Sequence, residues 1–305
     1  MNLALIGTLI RDEIIDTTFN RIESWGGLVY TINALHAICD ESSTILPVMR
    51  IGKDCYSSFI EELKNYNGVS KTGLLPYDGV NNKVRLQYKD AGQRDEYSLN
   101  PMPPITFEEL SPSVLEADVL MVNMVSGWDI ALPTMQRIRH NYNGIIAMDV
   151  HSLTLGRRED GFRYHKKVQN LDQWLRCVDI IQCNAAEYEL CIEHFGNEDK
   201  LIRELNKDAK RLINITLGEA GSRTIFFESS KIKDVMGQAP RSIRVVDPTG
   251  CGDAFAAGFI AQYLLANDLK SAINEANILA ALNGSFKGLP TAWDLKEAYH
   301  KFKGI

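Results

Sequence analysis

The sequence predicts an α/β fold in three layers, a mainly parallel sheet with helices on both faces. Three observations lead there. Short, near-continuous apolar runs recur: LALIG (3–7), TILPVMRIG (44–52), DVLMVN (118–123), GIIAMDV (144–150), DIIQCN (179–184) and LINITLG (212–218). Runs without polar alternation mark strands buried on both faces, as in a parallel sheet. Helical spacing fills the gaps: Met135, Ile138 and Tyr142 share one face, and Leu171, Trp174, Leu175 and Val178 another. Strands alternating with helices imply right-handed crossovers. Finally, 305 residues that are 45% hydrophobic can bury the core of a single domain, 1–305.

Two polar segments break the rhythm, 8–26 and 71–100. The second alternates through Lys83-Val84-Arg85-Leu86-Gln87-Tyr88, with turn residues at Asn81-Asn82 and Lys89-Asp90-Ala91-Gly92. Both are expected to be antiparallel β excursions that close as a lid over the carboxyl ends of the main strands, where open α/β sheets bind ligands. Asn123, Asp149, Asn184, Glu187, Thr216 and Gly218 end apolar runs and so should line that crevice. Arg85 and Arg94 are read as lid salt-bridge partners, and His151 as a structural histidine. An exposed edge at 83–88 would seek a partner, which leads to the expectation of a homodimer through the lid.

Composition excludes several function classes. A net charge of −6 gives no basic footprint for nucleic acid. The six histidines lack metal-ligand spacing, and the six cysteines form no CxxC pair and read as reduced, buried thiols. No apolar run approaches the roughly 20 residues of a membrane span. A cytoplasmic location is the expectation.

The stretch with most chemistry is VVDPTGCGDAFAAGF, read as a strand end, a tight turn and a helix whose Phe255, Phe259 and Tyr263 face the sheet. Bare positions at Gly250 and Gly252 would leave first-turn N–H groups open, an anion site at the positive end of a helix dipole. Asp253 beside a phosphate would repel it, unless the carboxylate takes a proton from an attacking alcohol. A simple helix cap would use the same residue. The pattern GxxxxGK[ST] is absent, and Phe255 stands where a dinucleotide fingerprint needs its third glycine.

Asp247-Pro248-Thr249-Gly250-Cys251-Gly252-Asp253 resembles the D-x-T-G-A-G-D signature of the ribokinase-like (PfkB) carbohydrate kinases. Further motifs follow in family order: Gly26-Gly27, RIGKD (50–54), Asn184 and Glu187 as N-x-x-E, and Thr216, Gly218 and Gly221 as T-x-G-x-x-G. The resemblance implies a ribokinase-like fold and transfer of the γ-phosphoryl of ATP to a hydroxyl, expected to be the primary alcohol of a small sugar or polyol. It implies Asp253 as catalytic base, with Gly250, Cys251 and Gly252 as the anion hole. Asp12, Gly26, Gly27 and Thr31 would bind substrate. Asn184, Glu187, Thr216, Gly218, Gly221 and Asn283 would bind the nucleotide, with Glu187 reaching Mg²⁺ through water. The region around Asp247 resembles a monovalent-cation site, which implies K⁺.

Two departures stand out. Many members carry Asn shortly after Gly-Gly, whereas this chain reads GGLVYTINAL with Thr31 at the counterpart, which resembles a divergent sugar or polyol kinase branch. Cys251 replaces the usual Ala, a nearly silent swap if only its backbone N–H is used; the alternative is a redox handle, since a helix N-terminus can lower a thiol's pKa. Two other readings stay open: a nucleoside kinase, with Tyr30, Tyr77 and Tyr88 as candidate base slot, and a non-catalytic sugar or nucleotide sensor.

Overall fold

The computed structural model describes residues 1–89, 94–228 and 231–304; the turn expected at Asp90-Ala91-Gly92 and the side chain of Arg94 lie outside the described residues. The chain runs β1 (Asn2–Ile6), β2 (Leu9–Ile15), β3 (Arg21–Gly27), α1 (Leu28–Ile38), β4 (Thr44–Gly52), α2 (Tyr56–Glu62) and β5 (Leu74–Tyr77). Next come β6 (Lys83–Tyr88), β7 (Arg94–Leu99), α3 (Pro112–Leu115), β8 (Val119–Asn123), α4 (Leu132–Asn141) and β9 (Ile145–Asp149). A short hairpin, β10 (Leu155–Arg157) and β11 (Arg163–His165), precedes α5 (Leu171–Arg176), β12 (Ile180–Asn184), α6 (Ala185–Phe195) and α7 (Glu198–Leu205). Then follow β13 (Leu212–Thr216), β14 (Ser222–Glu228), β15 (Lys231–Gly237), α8 (Cys251–Ala266), α9 (Leu269–Gly284) and α10 (Ala292–Lys303).

Among the described residues the main sheet has the order β15-β14-β13-β12-β9-β8-β1-β4-β5. Its pairs are parallel from β13 through to β5, and β14 and β15 add an antiparallel edge. Every expected apolar run forms a strand of this sheet. Side chains alternate across it: Leu3 and Leu5 enter a layer with α1, α8, α9 and α10, while Ala4 and Ile6 enter one with α4 to α7. The result is three layers with a core on each face. Among the described residues no helix is long and apolar enough to cross a membrane.

The two polar excursions meet in a separate sheet of order β3-β2-β6-β7. Three details correct the expectations. Strand β2 pairs antiparallel with β3 but parallel with β6. Residues 74–77 belong to the main sheet, as its edge strand beside β4, because Leu74 is buried there and an edge tolerates Pro76. Segment 83–88 is no edge, since β2 and β7 flank it on both sides, so the argument for a dimer through it falls away. Beyond β7, Ser98 N donates to Gly161 O at 2.9 Å, which ties the small sheet to the β10–β11 hairpin.

One face of the small sheet is a charge ladder. The side chain of Glu13, 1% exposed, takes Arg21 Nε at 2.7 Å, Lys83 Nζ at 3.1 Å and the Arg85 guanidinium. Arg85 is thus a salt-bridge partner, as expected. The RIGKD element ties this sheet to the main one: Gly52 N donates to Asn81 Oδ1 at 3.0 Å, and Asn81 N to Asp54 Oδ1 at 2.8 Å.

Candidate active site

The turn before α8 is built by its own short-range chemistry. Asp247 Oδ1 accepts from Thr249 N at 2.9 Å and Thr249 Oγ1 at 2.7 Å, and Asp247 Oδ2 accepts from Gly288 N at 2.9 Å. Gly250 has φ 75°, and a Cβ there would lie 2.0 Å from the Tyr30 ring, so only glycine fits. Among the described residues nothing crowds Gly252 in this way: a Cβ would have Asp149 Oδ2 and Gln182 Nε2 near it, both at 3.9 Å. What its missing side chain keeps open is the space above the turn. Cys251 N is engaged by Pro248 O at 3.1 Å, and the helical ladder starts with Ala254 N to Gly250 O at 2.9 Å. The N–H groups of Gly252 and Asp253 stand ahead of that ladder, as an anion site requires.

The approach to this turn differs from expectation. Residues 243–247 form no strand; Val246 N and Asp247 N both donate to Gly284 O, and Val245 and Val246 stay exposed. The thiol of Cys251 packs toward Gly284, and burial pushes its pKa up to about 11, with Asp247 and Asp253 adding and Asn283 opposing. Desolvation therefore works against the thiolate that a helix terminus would favour. Asn283 is fully buried and donates to Thr249 O at 2.9 Å, which sets it behind the turn instead of in an open base pocket. Thr249 O and the Asp247 carboxylate, in the region expected to hold K⁺, thus take hydrogen bonds within the protein.

Asp253, in the first turn of α8, meets two neutral donors: Asn123 Nδ2 at 2.5 Å and Thr31 Oγ1 at 3.1 Å. Thr31 is 1% exposed, so it buttresses Asp253 from below. Strand register brings the remaining groups to one level: Asn123 and Gln182 both sit opposite Asp149. Gln182 Nε2 donates to Asp149 Oδ2 at 2.9 Å and to Gly252 O at 2.8 Å. Burial raises the pKa of Asp253, with His151, Thr31 and Asn123 opposing. Asp149 is raised too, by burial first, against the pull of His151 and with Glu187 and Asp253 adding.

Across the cleft Asn184 and Glu187 form a reciprocal capping box on α6: Glu187 N donates to Asn184 Oδ1 at 2.9 Å and Asn184 N to Glu187 Oε2 at 2.8 Å. The other carboxylate oxygen, Oε1, lies 3.9 Å from His151 Nδ1. Burial works against a charge on His151, yet Glu187, Asp149 and Asp253 outweigh it and raise its pKa to about 10. Its backbone sits at φ 31°, a strained value of the kind found at working sites. Asp149 and Glu187 suit Mg²⁺, which takes one or two carboxylates and fills its shell with water and phosphate oxygens. Thr216 ends β13, and Gly218 and Gly221 lie in the loop beyond it, where Leu217 N donates to Gly221 O at 2.8 Å and Gly218 is exposed.

On the small sheet Asp12 is 8% exposed and lies over Gly26, where a Cβ would stand 1.9 Å from Asp12 Oδ2. Gly27 has φ 63°, and a Cβ there would stand 2.4 Å from Thr8 O. The two glycines thus serve the carboxylate and the entry into α1. Sequence reasoning missed Gln182 and the carboxylate environment of His151. A polar residue inside the apolar run DIIQCN and a histidine two positions after a strand-end Asp were the available signals.

A family model described as pfkB family carbohydrate kinase matches residues 31–292. A probable chloroplastic fructokinase of Arabidopsis thaliana is 34% identical over 137 residues, spanning 41% of this chain and 33% of that protein. The chain therefore spans about a third of that relative's length. A cytidine kinase of Thermococcus kodakarensis is 22% identical over 90% of this chain and 92% of its own. The structure of an ATP-bound fructokinase from Xylella fastidiosa superposes with TM-score 0.77 at 14% identity, covering 100% of this chain and 99% of that one, and shares the fold. The chain belongs to the pfkB carbohydrate kinase family.

Proposed function

We propose that this kinase transfers the γ-phosphoryl group of ATP to a hydroxyl of a small sugar or polyol, a primary alcohol being the expected acceptor. The observation that carries the reading is Asp253: a half-buried carboxylate with raised proton affinity, next to the bare Gly252 and hydrogen-bonded by the neutral donors Thr31 and Asn123. In this reading Asp12 and the Gly26-Gly27 corner hold the acceptor, and the small sheet acts as a lid. Asp253 takes the hydroxyl proton as the oxygen attacks, and the N–H groups of Gly252 and Asp253 stabilise the charge that develops. Asn184, Glu187, Thr216, Gly218 and Gly221 organise the nucleotide, whose Mg²⁺ would neutralise phosphate charge beside Asp149 and Glu187.

The cytidine kinase relative favours a second acceptor class, a nucleoside. Against it, the buried Tyr30 ring packs on Gly250, and Tyr77 belongs to the edge strand β5, which removes two of the three rings of a base slot. ADP release with MgATP over a panel of sugars, polyols and nucleosides distinguishes the two. Asp253→Asn should lower kcat at least about a hundredfold while nucleotide binding is retained. Near-normal turnover in that variant would remove the aspartate from the mechanism.

A further inference from the structure

Two amides lie beneath the reacting level, Asn123 at the end of β8 and Gln182 in β12, each 5% exposed. Each uses both of its N–H groups upward. Asn123 Nδ2 donates to Asp253 Oδ1 at 2.5 Å and Thr31 Oγ1 at 3.3 Å; Gln182 Nε2 donates to Asp149 Oδ2 at 2.9 Å and Gly252 O at 2.8 Å. A flipped amide would set its carbonyl against the Asp253 carboxylate in one case and against the Gly252 carbonyl in the other. Their orientation is therefore fixed by charge and lone pairs.

The downward ends are another matter. Asn123 Oδ1 and Gln182 Oε1 are fully buried and accept from none of the described residues. A buried acceptor without a donor is unfavourable, and native proteins answer it with ordered water where space allows. Both residues line one cavity of about 20 Å³ between the sheet and α8, together with Asp149, Asn214 and apolar groups such as Met121, Ile180, Phe259 and Ile260. A water needs roughly 10–15 Å³ and two or more polar partners, so this space suits one molecule.

We propose that one buried water donates a hydrogen bond to each of these carbonyls, and that Asn123 and Gln182 act as a pair of positioning residues for phosphoryl transfer. The pair is locked from below by the water. From above, Asn123 holds the Asp253 carboxylate, and Gln182 holds the Gly252 carbonyl, which fixes where the adjoining N–H of Asp253 points. The positioning role rests on the reading of Asp253 as the base, whereas the water does not.

Two measurements test it. A crystal structure of the wild-type protein at a resolution that shows ordered water should reveal one peak about 2.7–3.2 Å from both carbonyl oxygens. An empty cavity, or a peak with the short contacts and anomalous signal of a cation, would overturn the proposal. The second measurement is Gln182→Glu, which keeps the shape and removes both donors. With the best acceptor of the panel, kcat should fall at least about tenfold while both KM values stay within about threefold, the signature of lost transition-state alignment. Unchanged kcat, or a loss carried by KM, would refute the positioning role. Should that variant fail to fold, Asn123→Asp takes its place with the same criteria. Absence of turnover in the wild type with every acceptor defeats the functional reading alone, and the electron density still decides the water.

Discussion

Two carboxylates in this molecule, the half-buried Asp253 and the buried Glu13, are held by opposite means. Asp253 rests on the hydroxyl of Thr31 and the amide of Asn123, and burial raises its proton affinity. Burial would raise Glu13 as well, but Arg85 and Lys83 outweigh it and its pKa ends below the ordinary 4.5. Neutral donors orient a carboxylate without quenching its basicity, whereas cations within contact distance do quench it. The two carboxylates are thus told apart by their neighbours: neutral donors at the floor of the cleft, cations on the small sheet.

The largest way to break the contrast is Gly250→Ala. A Cβ set 2.0 Å from the Tyr30 ring, on a backbone at φ 75°, should lower stability by about 2–4 kcal/mol and abolish most turnover. Chemical denaturation and ADP release check both, and retained stability would show that the floor is softer than its packing indicates. Gly26→Ala tests the small sheet. Pushing Asp12 aside should raise the acceptor KM about tenfold with the nucleotide KM little changed.

An acid series sharpens the comparison further. Turnover should fall as pH drops through the raised pKa of Asp253, above the ordinary 3.8 of an aspartate. The contribution of Glu13 to stability is full above 4.5 and is lost only as pH falls through its lower folded value. Activity should therefore disappear before the small sheet loosens, as read by ADP release and circular dichroism on the same samples. Glu13→Gln should lower stability by about 1 kcal/mol near neutrality, since its cationic partners are partly exposed, and should flatten the acid slope. Loss of the sheet ahead of activity would invert the assignment.

The sequence disclosed most of the main sheet because doubly buried strands need unbroken apolar runs, and none of the six was misplaced. It disclosed the turn before α8 because Gly, Thr and Asp act there over a few residues. Longer-range relations stayed hidden. That Leu74–Tyr77 joins the main sheet depends on the neighbouring β4, and that 83–88 lies inside the small sheet depends on β2, far away in the chain. The Val-Val pair at 245–246 reads as a strand by propensity, yet its backbone bonds go to Gly284. Thr31 was expected at the substrate and lies under Asp253, because its position on α1 is set by packing against α8. Asn123 was expected in the crevice as the end of an apolar run, whereas Gln182 was not, since a Gln within a strand carries no local sign of what it touches.

Neighbouring residues of α1 serve different clients: the ring of Tyr30 lies on Gly250, and the hydroxyl of Thr31 reaches Asp253. The same helix begins directly after the Gly26-Gly27 corner beneath Asp12. Anyone redesigning the acceptor preference would therefore be working on a shared mechanical arm. Substitutions around residues 26–31 would act on both ends of that arm at once, the corner under Asp12 and the turn at Gly250, and changes at Asp12 reach the same arm through Gly26.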